Sequence, residues 1–140
     1  MTRKIEKQAA GSIIARQIEE AMDLLPMNGS GAVEAAFSFS EGFSGFQGHF
    51  PSRKVFPGVC QIMCVLALLA RWQGTEARLA EITNVKYVLP VLPGDVVNLK
   101  ITGLKELGAG LFSLKASMTK GSERVSEFRL KALLGYSQAS

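Results

Sequence analysis

The stretch GVCQIMCVLALLARW, residues 58–72, constrains the fold more than any other part of the chain. It is opened by Pro57-Gly58 and is apolar on nearly every side except at Gln61. Its Leu, Ala and Met content favours a helix. A helix hydrophobic all round is expected to be buried all round. At about 1.5 Å per residue it spans roughly 20 Å, and it is shorter than the about 20 apolar residues that a bilayer span requires. Enclosing such a helix in a chain of 140 residues calls for a sheet wrapped around it. Hydrophobic residues make up 47% of the chain and charged residues 20%, enough apolar material for a core and unlike a disordered composition. The length suits one domain over 1–140, an α+β unit with a long central helix in a curved antiparallel sheet.

The segments around the helix supply that sheet. AVEAAFSFS alternates, with Val33, Ala35, Phe37 and Phe39 on one face, the period of a half-buried strand. After the helix come EITNVKYVL, DVVNLKITGL, LFSLKASMT and RVSEFRLKALLG, all strand-like. In the last, Phe128, Leu130, Ala132 and Leu134 alternate with charged residues. LGAG and KGSE read as hairpin turns, and LPVLPGD as a Pro-rich corner in which Asp95 is a turn carboxylate. Near the start, Ile14, Ile18, Ala21, Met22 and Leu25 recur at helical spacing. This predicts an amphipathic helix over about 12–25, ended by Pro26.

Charge and cysteine usage narrow the class. A net charge of +4 is modest, and no basic-aromatic interleaving points to nucleic acid. Cys60 and Cys64, four apart on a helix, do not suit an internal bridge. Zinc would need more ligands than these and one distant histidine. Both read as reduced core thiols in a reducing, cytoplasmic setting. The charged N-terminus lacks the continuous apolar stretch of a signal peptide.

Between strand and helix lies EGFSGFQGHFPSRKVFPG, long, irregular and rich in glycine, the kind of loop that carries function in a compact domain. It holds the chain's single histidine, His49. GHFPSRKVFPGVCQI resembles the signature of the β-hydroxyacyl-acyl-carrier-protein dehydratases of the hot-dog fold. LAEITNVKYVLPVLPGDVVNLKI is similar to the strand-corner-strand segment that follows their central helix. The likeness covers roughly residues 32–134.

That resemblance implies a dimer with active sites at the subunit interface and a 3-hydroxyacyl thioester carried on acyl carrier protein as substrate. His49 matches the base that takes the α-proton, and Gly58 matches the backbone amide that holds the thioester carbonyl. Phe50, Pro57, Val59, Gln61 and Met63 are expected to flank these positions as substrate contacts. Gln61 is open to a surface or interface role as well. Met63 falls where the family's acid belongs, and Ala67 where many members have glutamine, so half of the catalytic pair is missing. No cofactor or metal is implied.

The chemistry agrees with this from first principles. Taking an α-proton from a thioester needs a base of near-neutral pKa and a stabilised enolate oxygen. Histidine suits the first need, and free amides at a helix N-terminus suit the second. Methionine donates no proton and fills space. Arg53 and Lys54, which flank the mouth of the acyl tunnel that the resemblance implies, could attract an acidic carrier protein or its phosphopantetheine phosphate. Glu41 is a more remote candidate acid. Three functions compete: a dehydratase-like enzyme, a non-catalytic acyl-binding or partner subunit of an acid-bearing relative, and a thioesterase, for which no well-placed carboxylate is evident. A homodimer at least is expected.

Overall fold

The computed structural model describes residues 13–27, 29–46 and 54–135. Helix α1 covers 13–21 and is followed by the short strand β1 (Asp23–Leu24) and by β2 (Val33–Ser38). A single 3₁₀ turn, Ser44–Phe46, precedes the central helix α2 (Gly58–Gln73). Then come β3 (Ala77–Tyr87), β4 (Val96–Gly108), β5 (Leu111–Lys120) and β6 (Glu123–Leu134). The strands form one antiparallel sheet in the order β1-β2-β4-β5-β6-β3. The expected fold class, a long helix wrapped by a curved antiparallel sheet, is the fold observed.

The sheet curls around α2 through side chains at alternate positions. Val33, Ala35 and Phe37 of β2, Val97, Leu99 and Ile101 of β4, and Leu114, Ala116 and Met118 of β5 are all buried. From β6, Phe128, Leu130 and Ala132 join them. The helix contributes Cys60, Ile62, Cys64, Val65, Leu68 and Leu69. Gly74, at φ 68°, ends it in the left-handed conformation that glycine adopts without a Cβ penalty, and its N–H returns to the Ala70 carbonyl at 2.8 Å.

Two expectations need correction. The N-terminal helix stops at residue 21 and not near 25, because residues 23 and 24 pair with β2 and the Leu25 N–H bonds the Glu34 carbonyl at 3.0 Å. Pro26 disfavours helical backbone at the residue before it, so this end of the pattern is extended. The central helix is also not enclosed on all sides within one chain. Val59 is 66% exposed, and Met63, Leu66, Ala67 and Ala70 are half-buried along the same side. Each of these lies three or four residues from another, so together they form one continuous apolar stripe.

Candidate active site around the start of the central helix

Phenylalanines anchor the described chain on both sides of the histidine loop. Phe39 stacks on Phe56 with ring centroids 4.5 Å apart, Phe43 lies 4.5 Å from Phe39, and Phe46 meets Phe56 edge-on at 6.4 Å. All four are buried. Gly45 belongs to the same packing, since a Cβ there would overlap the Phe43 ring. His49, Phe50 and Arg53 lie outside the described residues. The Phe56 N–H bonds the Val91 carbonyl at 2.7 Å, tying the approach to α2 to the Pro-rich corner.

The helix starts abruptly. Pro57 occupies the N-cap position with extended backbone and no side-chain cap, and its carbonyl accepts from the Cys60 and Gln61 N–H groups at 3.0 and 3.1 Å. The Gly58 and Val59 N–H groups find no acceptor among the described residues. They are the orphan donors of a helix N-terminus, where positive partial charge collects. Here a cavity of about 300 Å³ opens, lined by Val55, Phe56, Gly58, Gln61, Tyr87, Val88, Leu89 and Pro90. Gly58 and Gln61 thus share one cavity, whereas the Val59 side chain points to the open stripe and Pro57 serves as the cap.

Three side chains from three elements converge here. Gln61 is only 3% exposed, which rules out the surface role considered for it. The Ser126 hydroxyl donates to its Oε1 at 2.7 Å. Ser126 faces inward because it shares the phase of Phe128, Leu130 and Ala132. Just before it, Val125 is skipped between the pairs Arg124–Thr119 and Ser126–Met118. The displaced Val125 carbonyl accepts from the Val88 and Leu89 N–H groups at 2.8 and 3.2 Å. Tyr87 pairs with Ser126 across β3 and β6, so it lies on the same face. Its ring meets Phe128 edge-on at 5.8 Å, and partial burial pushes its phenol pKa up. A Cβ on Gly58 would collide with that phenol. The glycine therefore makes room for the Tyr87 ring.

Sequence reasoning missed Tyr87 and Ser126. Ser126 carried a signal, a hydroxyl two residues before Phe128 on the alternating face. Tyr87 carried none, because its place depends on pairing with a strand 39 positions away.

Met63 and Ala67 lie elsewhere. They line a second groove of about 430 Å³ with Ile18, Leu66, Ala70 and Glu76 on the other flank of the helix. Within one chain, Met63 does not border the Gly58 cavity. Cys60 and Cys64 are buried free thiols, and burial raises both pKa values, most for Cys64. Asp95 is the turn carboxylate expected. Its Oδ2 accepts from the Leu92 N–H at 2.9 Å and from Lys120 at 3.0 Å, and these bonds lower its pKa. Lys54 and Glu41 are exposed, and the Lys54 ammonium reaches the Glu41 carbonyl at 3.4 Å. No helix among the described residues is long and apolar enough to cross a membrane.

Residues 26–126 match the ApeI-like family, described as ApeI dehydratase. The chain belongs to this dehydratase family. Among curated relatives it is similar to the 3-hydroxyacyl-[acyl-carrier-protein] dehydratase FabZ of Geobacter metallireducens, 39% identical over 82 residues, covering 51% of this chain and 54% of the relative. It is 37% identical over 98 residues to FabZ of Clostridium novyi, covering 64% and 68%. The chain spans little more than half the length of the first of these. Among solved structures, the dehydratase heterocomplex ApeI:P from Xenorhabdus doucetiae shares the fold at a TM-score of 0.65 and 22% identity, over 77% of this chain and 92% of that one. The Escherichia coli PaaI protein does so at 0.62 and 16%, over 95% and 99%. The hydroxyacyl dehydratase resemblance read from the sequence holds at the level of the family.

Proposed function

We propose that this dehydratase-family chain binds 3-hydroxyacyl thioesters of acyl carrier protein, in fatty acid or polyketide-like synthesis, and is disarmed for dehydration on its own. The observation that carries this is the cavity at the start of α2, where the Gly58 amide, without an acceptor among the described residues, meets a largely apolar wall. His49 is the base for the α-proton, and the Gly58 amide holds the thioester carbonyl. Phe50, Pro57, Val59 and Gln61 flank the acyl group, and Arg53 and Lys54 meet the carrier protein or its phosphopantetheine phosphate. Two buried thiols suit a reducing, cytoplasmic setting.

The working unit is at least a homodimer. Strand β3 is a sheet edge, and its inward-phase residues Leu79, Ile82, Val85 and Tyr87 are 40–51% exposed. With the open stripe of α2 they offer apolar surface beside a sheet edge to a second copy. Across such an interface Met63 would face His49 of the other subunit, in the place of the family's acid.

A second reading is supported by the same methionine: the chain is the partner subunit of an acid-bearing relative. The structural neighbour from Xenorhabdus is itself a dehydratase heterocomplex. The test is the dehydration rate on a 3-hydroxyacyl carrier-protein substrate, for the chain alone and mixed with such a relative, with light scattering alongside. A slow homodimer is the expected result for the chain alone. The partner reading expects a faster heterodimer with one mixed site, its activity lost in His49→Ala. Rapid turnover by the chain alone, or a clean monomer at micromolar concentration, would contradict the proposal.

A further inference from the structure

The cavity holds hydrogen-bond donors besides the Gly58 amide. Gln61 is almost wholly buried, and Ser126 occupies its amide oxygen. The two N–H donors of that amide have no acceptor among the described residues, although Gln61 lines the cavity. Buried amide donors are rarely left unpaired in folded proteins. Tyr87 Oη likewise bonds nothing described, and it lies against the Cα of Gly58 at the mouth of the orphan amides. The two side chains are held by one framework: the β3–β6 register seats Tyr87 beside Ser126, and Ser126 fixes Gln61.

We propose that Tyr87 and Gln61 are substrate-contacting donors which, with the Gly58 amide, form an oxyanion hole for the thioester oxygen. This rests on the acyl-thioester reading above and deepens it. In the step concerned, His49 takes the α-proton. The C–H electron pair becomes the enolate double bond, and the carbonyl π pair moves onto oxygen. The phenol and the amide keep their protons and only donate hydrogen bonds. Their stabilisation grows as the oxygen gains charge, which is how such donors accelerate a reaction. Ser126 is a positioning residue that turns the Gln61 nitrogen toward the cavity. A chain without an acid at position 63 would on this view still polarise a thioester.

The probe is butyryl-pantetheine labelled with ¹³C at the thioester carbonyl, bound to the full chain. Infrared difference spectra read the carbonyl stretch, and mass spectrometry in D₂O reads α-proton exchange. The wild type is expected to lower the stretch, and His49→Ala to lower it equally while abolishing exchange. Tyr87→Phe keeps the ring that packs on Gly58 and Phe128, and Gln61→Met keeps the helix volume. Each is expected to lose part of the shift and to slow exchange by about 10²-fold, a usual effect of removing one such donor. A bound thioester with an unchanged shift in both variants overturns this inference and leaves the functional reading standing. Failure of the wild type to bind the probe overturns both.

Discussion

The two flanks of α2 carry opposite chemistry on one helix. On the Gly58 flank, the Gly58 backbone, a buried glutamine and a phenol line a small cavity, and an inward-facing serine of β6 holds the glutamine in place. On the Met63 flank the helix side chains are apolar and only half covered, and Glu19 and Glu76 also line the groove. The first flank is built as a polar site is built, with its buried glutamine held by a serine of another element. The second has the marks of an unfinished interface, apolar and waiting for cover. The difference teaches that one helix can present a backbone amide and a buried glutamine on one face and a half-covered apolar stripe on another, because each face is set by its own residues.

The contrast can be broken by mutation. The largest effect is expected from Leu68→Ala on the enclosed side, a loss of about 2–5 kcal/mol of unfolding free energy in urea titration. Leu66→Ala on the open stripe should cost clearly less, and equal costs would mean that the stripe is covered in solution. On the polar flank, Gln61→Leu strands the buried Ser126 hydroxyl and should cost about 1–3 kcal/mol. Adding Ser126→Ala should return much of that, which a double-mutant cycle would read. Met63→Leu, a change of similar volume at a half-buried position, should cost less than about 1.5 kcal/mol. The smallest effect is expected at the corner. Asp95 has a folded pKa below its ordinary value of 3.8, so its bonds to Leu92 and Lys120 stabilise the protein at neutral pH. That contribution, about 0.2–1 kcal/mol for a partly exposed pair, should fade as the pH falls from near 3.8 through the lower folded value. Asp95→Asn should remove this pH-dependent part in acid titrations of stability.

Much of the fold was legible because periodicity is a local property. The helix start at Gly58 and the phase of Val33, Ala35 and Phe37 follow from neighbouring residues alone. So does the alternation of Phe128, Leu130 and Ala132. What stayed hidden depended on distant pairing. Tyr87 reaches the helix start only because β3 crosses to the far edge and pairs with β6. Gln61 was open to a surface or interface role beside a substrate contact, since a lone polar residue gives no hint that a serine 65 positions later will donate to it in the core. The helix over 13–21 ended early for a similar reason, as pairing of Asp23 and Leu24 with β2 overrode the apolar spacing.

The central claim is that the chain keeps an acyl-thioester site and lacks only the acid at position 63. It is tested most directly by the dehydration rate of a 3-hydroxyacyl carrier-protein substrate with wild type, Met63→Glu, and Met63→Glu combined with His49→Ala. A carboxyl placed among the aliphatic side chains of that groove should have a raised pKa and stay protonated as an acid. Met63→Glu is therefore expected to raise the rate by about 10²-fold, and His49→Ala to abolish the gain. A folded Met63→Glu protein with no gain, or a gain that survives the loss of His49, would contradict the claim.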